Sequence, residues 1–194
     1  MITGLLFFIG WALLAWPAFF ITLFVCWFFR DPDREIPTGE DVIVSPADGR
    51  VLSVEKIGKN DFTGEPCIKV SIFMNIFNVH VNRIPFGGDI VRTEYFPGKF
   101  FNASFDKASE DNEKNCLVIS SEMGKSYAVV QIAGLVARRI ICKVGRGDHL
   151  KTGERYGMIC FGSRLDIYLP ESVDIAVHPG EKIKAGSSII GYMK

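Results

Sequence analysis

The sequence predicts a mainly β domain, a flattened barrel, preceded by an N-terminal hydrophobic membrane helix or helical hairpin. Three observations carry that expectation. Residues 1–29 contain no charged side chain and are dense in Phe, Leu and Trp. From Val42 onward the texture changes to short alternating apolar runs separated by Gly, Pro, Asn and Asp, the period-two pattern of half-buried strands. Two segments, 42–54 and 173–186, share a strand–turn–strand rhythm, with Pro46-Ala47-Asp48-Gly49 and Pro179-Gly180 at turns.

Taking the chain in order, the apolar run reads as an anchor over 1–35. A secretory signal would place basic residues ahead of a short apolar core and end at a small-residue cleavage site, and both are missing. A single span needs about 20 residues, so the run is long enough to cross with tilt. Pro17, with Gly10 before it, leaves a kink or a re-entrant hairpin open. Arg30 and Arg34 follow the run and no Lys or Arg precedes it, which places the rest of the chain on the cytoplasmic side of the cell membrane.

Residues 36–39 read as a linker opening a β-rich domain over 36–194. Strands are expected at 42–45, 50–56, 67–73, 79–83, 88–95, 115–121, 126–132, 140–144, 155–161, 164–169 and 189–192. Polar residues 102–112 suggest a helical turn or a lid, and 135–139 a second short helix. The two rhythmic segments suggest a barrel-sandwich-hybrid-like fold, the flattened barrel that carries biotin or lipoate.

Composition narrows the function. Lys+Arg and Asp+Glu balance at 22 each, so no global field holds a polyanion and nucleic acid is not an expected partner. Cys26, Cys67, Cys116, Cys142 and Cys160 show no C-x-x-C spacing, which indicates neither a disulfide framework nor a metal site and suits a reducing compartment.

Chemistry points to Lys184-Ala185-Gly186-Ser187-Ser188. Gly lets the backbone enter conformations closed to other residues and clears space around its carbonyl. The Ser187 hydroxyl could attack the Gly186 carbonyl, turning the amide into an ester; β-elimination and hydrolysis would then leave a pyruvoyl group. The competing reading is an ordinary Gly-Ser turn. A serine nucleophile needs a base and an orienting carboxylate. His80 lies on an apolar strand crowded by Asn75, Asn78, Asn82 and Arg83, whereas His149 and His178 sit in polar turns. Asp48 is the strongest carboxylate, against the plain reading of Asp-Gly as a turn. Arg83, Arg164 and the pair Arg138-Arg139 are forked cations able to grip an anion.

Several blocks in succession resemble the phosphatidylserine decarboxylase proenzymes of the short, pyruvoyl-dependent branch. They are Ser45-Pro46-Ala47-Asp48-Gly49; residues 73–85 with their Asn-Val-His-Val-Asn-Arg core; Asn102-Ala103-Ser104 with Asp106-Lys107-Ala108-Ser109; Tyr156-Gly157-Met158 with Phe161-Gly162-Ser163-Arg164; and Gly186-Ser187-Ser188. The resemblance implies self-cleavage between Gly186 and Ser187, a β chain ending at Gly186, and an α chain starting with a pyruvoyl group made from Ser187. It implies a heterodimer of those chains and a membrane phospholipid substrate, phosphatidylserine, converted to phosphatidylethanolamine through a Schiff base. Asp48 and His80 fall where the family keeps its activating acid and histidine; Asn78, Arg83 and Arg164 are the substrate-binding candidates. Some members carry a second histidine three residues after the first, where this chain has Arg83, so both cleavage and proton transfer fall to His80. The 96–101 run, with its three Phe residues, is a candidate lip at the lipid interface. The alternative is a membrane-tethered biotinyl/lipoyl-like barrel serving as carrier or adaptor, against which stands the absence of a Met-Lys pair before Met193-Lys194.

Overall fold

Alternating apolar side chains build most of this molecule. The computed structural model describes residues 2–8, 12–103, 111–135, 139–160 and 162–194, in two compact units, 1–32 and 33–194. Residues 33–35, which the sequence reading assigns to the anchor, join the β unit, where Asp33 pairs with Arg155 at 2.9 Å.

The first unit holds α1 (Ile2–Phe8) and α2 (Ala12–Phe28), which touch each other. Among the described residues no helix is long and apolar enough to cross a membrane, so the single span expected from the sequence is not confirmed. Pro17 inside α2 removes one ladder hydrogen bond. Leu13 is 92% exposed and Phe20 and Ile21 are exposed too, more apolar surface than water tolerates without lipid or protein cover. Past the end of α2, the Arg30 guanidinium stacks on Trp27 at 3.9 Å and donates to its carbonyl at 2.9 Å, capping an open helix terminus.

The second unit is mainly β, in the order β1 (Val42–Val44), β2 (Gly49–Ile57), β3 (Cys67–Met74), β4 (Val81–Arg83), β5 (Gly88–Phe96), β6 (Lys114–Ser121), β7 (Ser126–Ile132), β8 (Ile140–Cys142), β9 (His149–Leu150), β10 (Arg155–Ile159), β11 (Ser163–Pro170), β12 (Asp174–Ile175), β13 (Lys182–Ile183) and β14 (Ile189–Tyr192). An eight-stranded sheet, a curled half-barrel, runs β13-β2-β3-β11-β7-β6-β5-β9; two three-stranded sheets run β1-β14-β12 and β4-β10-β8. All eleven expected strands form. The fourth begins at Val81 rather than 79, because 75–78 close a turn in which Asn78 N–H donates to the Asn75 carbonyl at 3.1 Å. The helical candidates at 102–112 and 135–139 fall largely on 104–110 and 136–138, outside the described residues.

Alternation sorts the sheet into two faces. Ile72, Leu117, Val129, Leu165 and Ile167 point into the main core with Ile43, Val51 and Ile190. Cys116, Val118, Ala128, Val130 and Ile132 point the other way and are covered in part by Phe62, Phe96 and Tyr168. Each fully buried aliphatic side chain contributes about 1.5–3 kcal/mol. The expected lip is divided accordingly: Phe96 packs in this second cluster, while Phe101 is 40% exposed. The two rhythmic segments meet, since β13 pairs with β2 and β14 lies between β1 and β12.

Candidate functional site

The meeting of those segments sets up the loop 184–188. Lys184 closes it as a turn, its carbonyl accepting from Ser187 N–H at 3.2 Å and Ser188 N–H at 3.0 Å. Ser45, just past β1, grips the loop from the other side: its carbonyl accepts from Gly186 N–H at 2.7 Å and its N–H donates to the Ser188 carbonyl at 2.8 Å. Gly186 has φ +74°, and a Cβ there would sit 3.0 Å from both Arg83 Cδ and Ile36 Cδ1. Both the left-handed backbone and the lack of room require glycine. The two serines have different duties. Ser188 Oγ accepts from Lys184 N–H at 2.9 Å, while Ser187, half-buried, makes no side-chain hydrogen bond among the described residues.

Asp48 reaches this loop directly. Gly49 lets β2 lie flat on β3, since a Cβ there would run into the Phe73 carbonyl oxygen, and this holds the preceding Asp48 under the loop. Asp48 Oδ1 accepts from Ala185 N–H at 2.8 Å, one residue before the Gly-Ser bond. Arg34 Nη2 donates to both carboxylate oxygens, at 3.0 and 2.9 Å, with only 13% and 11% of the two side chains exposed. The carboxylate is therefore gripped by the Arg34 guanidinium and the Ala185 amide, in a geometry stronger than a surface pair. Arg34 escaped the sequence reading, which assigned it to membrane orientation; the fourteen-residue separation of the pair is bridged only by the fold.

His80 is fully buried one residue before β4. Its Nδ1 lies 3.0 Å from the Asn78 carbonyl. A carbonyl only accepts, so Nδ1 carries the proton and Nε2 of the neutral ring is the basic atom. The polar crowding around it resolves into structural duties. Asn75 Oδ1 accepts from Phe77 N–H at 2.8 Å and Asn78 Oδ1 from Asn75 N–H at 2.9 Å, fixing the 75–78 turn. Asn82 Oδ1 accepts from Gln131 Nε2 at 2.9 Å, and Gln131 Oε1 from Asn115 Nδ2 at 3.2 Å, a buried chain behind the site.

The substrate-binding candidates separate. Asn78 lines a cleft of about 640 Å³ together with Asp48, Arg50, Phe77, Lys182 and Lys184. Arg83 is 5% exposed, donates to the Gly153 carbonyl at 3.0 Å and packs on Gly186, so it braces the loop. Arg164 must be corrected: it is fully buried, with Nε 2.6 Å from Asp166 Oδ1 and Nη2 2.8 Å from Ser71 Oγ, and offers no surface to an anion. Arg139 is exposed, and Arg138 lies outside the described residues. A second, more open cleft of about 660 Å³ runs between residues 33–38 and Ser187. His149 and His178 are exposed, against Asp89 at 2.8 Å and Glu181 at 2.7 Å.

The chain is similar over most of its length to known proteins. The family model described as phosphatidylserine decarboxylase matches residues 21–191. Three similar proteins, each named phosphatidylserine decarboxylase proenzyme, come from Syntrophus aciditrophicus, Ruegeria pomeroyi and Nitratidesulfovibrio vulgaris. The first is 52% identical over 170 residues, 88% of this chain and 80% of that protein. The second is 52% identical over 196 residues, 100% of this chain and 89% of its own length. The third is 54% identical over 170 residues, 88% and 78% of the two chains. The carrier reading is not favoured by these matches.

Proposed function

The chain belongs to the phosphatidylserine decarboxylase family, and from that premise we propose a self-processing enzyme that cuts Gly186–Ser187, becomes pyruvoyl-dependent and converts phosphatidylserine to phosphatidylethanolamine. The observation that carries this reading is the Asp48 carboxylate on Ala185 N–H at 2.8 Å, beside a left-handed Gly186 whose neighbour Ser187 faces an open cleft.

In this reading Ser187 Oγ attacks the Gly186 carbonyl carbon, the C–N bond breaks, and the Ser187 nitrogen takes up the proton. A base then removes the Ser187 Cα proton. The Gly186 carboxylate leaves with the Cβ–O bond, and water replaces the nitrogen, released as ammonia, to give the ketone. His80 Nε2 is the base and Asp48, held by Arg34, the acid that orients the loop. The residues present fit the group: glycine is obligatory at the cut, and Ser187 alone of the two serines is uncommitted. Once formed, the pyruvoyl carbonyl supplies Schiff-base chemistry toward the substrate amine and a sink for the electron pair left by carbon dioxide.

The last eight residues would become a separate α chain, held by β14 between β1 and β12 and by Ile190 and Met193 in the core. The exposed apolar face of α2 supports attachment to the membrane that holds the lipid, with the β unit on its cytoplasmic side. Denaturing mass spectrometry of the purified, folded protein tests the proposal. Two fragments are expected, the smaller starting with a pyruvoyl group at position 187; an intact chain with unmodified Ser187 would sink it.

A further inference from the structure

Resting on the reading above, the remaining question is what holds the headgroup phosphate once Arg164 is sealed in the core and Arg83 is spent on Gly153. Three cations line the 640 Å³ cleft: Arg50, Lys182 and Lys184. Arg50 and Lys182 are register partners on the antiparallel pair of β2 and β13, so their side chains share a face. Like charges directly opposite destabilise a sheet. Among the described residues no carboxylate pairs with any of the three, and the one carboxylate in the cleft, Asp48, is already matched by Arg34. Lys184 is also the residue whose carbonyl closes the turn on Ser187 N–H. Phe77, 63% exposed, stands on the same cleft. We propose that Arg50, Lys182 and Lys184 form the phosphodiester subsite of the lipid headgroup, with Phe77 on the acyl side. In phosphatidylserine only Cα, Cβ and an ester oxygen separate the reacting amine from the phosphorus. A phosphate held beside Lys184 therefore keeps that amine close to position 187.

The same chemistry would bind free phosphate or a general anionic surface, and the test separates them. The fully processed enzyme and its Arg50→Gln/Lys182→Gln variant are assayed on a short-chain phosphatidylserine below its micellar concentration, so that no bilayer takes part. Complete cleavage by mass spectrometry serves as the check on folding. KM is expected to rise about tenfold with kcat within about twofold; inorganic phosphate is expected to inhibit the natural enzyme competitively and the variant more weakly in parallel. Should the double variant fail to process, Lys182→Gln alone is expected to raise KM about threefold. An unchanged KM on the soluble substrate overturns the subsite, as does a defect confined to anionic vesicles, which would assign the cations to the bilayer surface. A natural enzyme that neither cleaves nor releases carbon dioxide would instead overturn the reading beneath it.

Discussion

Two Arg–Asp pairs in this molecule have the same chemistry and opposite surroundings. Arg164 and Asp166 meet at 2.6 Å with 1% and 0% of their side chains exposed, and Arg164 Nη2 also donates to Ser71 Oγ at 2.8 Å. Arg34 and Asp48 meet at 2.9 Å with 13% and 11% exposed, and Asp48 keeps an oxygen on the Ala185 amide. The first pair is sealed from solvent and ties β11 to β3 through Ser71. The second borders a cleft and touches the loop proposed to be cut. What distinguishes the two ion pairs is the third partner: a core hydroxyl in one case, the backbone of the 184–188 loop in the other.

Breaking the buried pair should have the largest effect. Arg164→Met leaves Asp166 without its counter-charge and is expected to cost about 3–5 kcal/mol in denaturant unfolding, with Arg164→Met/Asp166→Leu recovering most of it. Burial already pushes the Asp166 carboxyl up, against the pull of Arg164. Its folded-state value therefore lies above its unfolded one, so the folded protein holds that proton more tightly and stability falls as pH rises above about 3.9. Losing Arg164 raises the value further, so the variant's deficit should be larger at neutral than at mildly acidic pH. A flat profile would show that Asp166 does not titrate with folding.

At the second pair the expected loss is in rate rather than stability. Asp48→Asn should slow cleavage about a hundredfold, and His80→Ala comparably, followed as loss of the full-length band by mass spectrometry. Normal processing in either would remove that residue from the activating network. Arg34→Gln should slow cleavage about tenfold, with Arg34→Lys in between because an ammonium cannot reproduce the fork; a change in unfolding free energy as large as that of Arg164→Met would make the two pairs equivalent after all. The smallest effect is in the thiols. Burial pushes the Cys116 thiol up to about 12, and Cys67 and Cys160 also up, so under native conditions Cys26, exposed on α2, should alkylate first, ahead of half-buried Cys142, and Cys67, Cys116 and Cys160 only on unfolding.

Particular residues show what could be read in advance. The strands were legible because alternation is local: Cys67 to Met74 and Ser126 to Ile132 bury every second side chain in one core whatever their neighbours are. The placement of Asp48 beside the 184–188 loop follows from the fold, and the roles proposed for Ser187, Asp48 and His80 rest on bond chemistry and on the order of blocks in which they stand. The three Asn residues near His80 misled in part, since crowding signalled demand for partners but not whether a ligand or a turn supplies them; Asn75 and Asn78 serve the turn and Asn82 the Gln131 chain. Arg164 misled because its sequence neighbours say nothing about Asp166 sharing its side of β11, away from the main core.

By itself, then, the sequence determined a mainly β unit behind an apolar segment and the family to which the chain belongs, both of which depend on periods and blocks along the chain. The tertiary structure decided which charges matter. Arg34 finds Asp48, Arg50 finds Lys182, and Arg164 disappears into the sheet only because strand register and the closing of β14 onto β1 bring distant positions together. Electrostatic roles follow distance and burial, and neither is a property of a residue until the chain has folded around it.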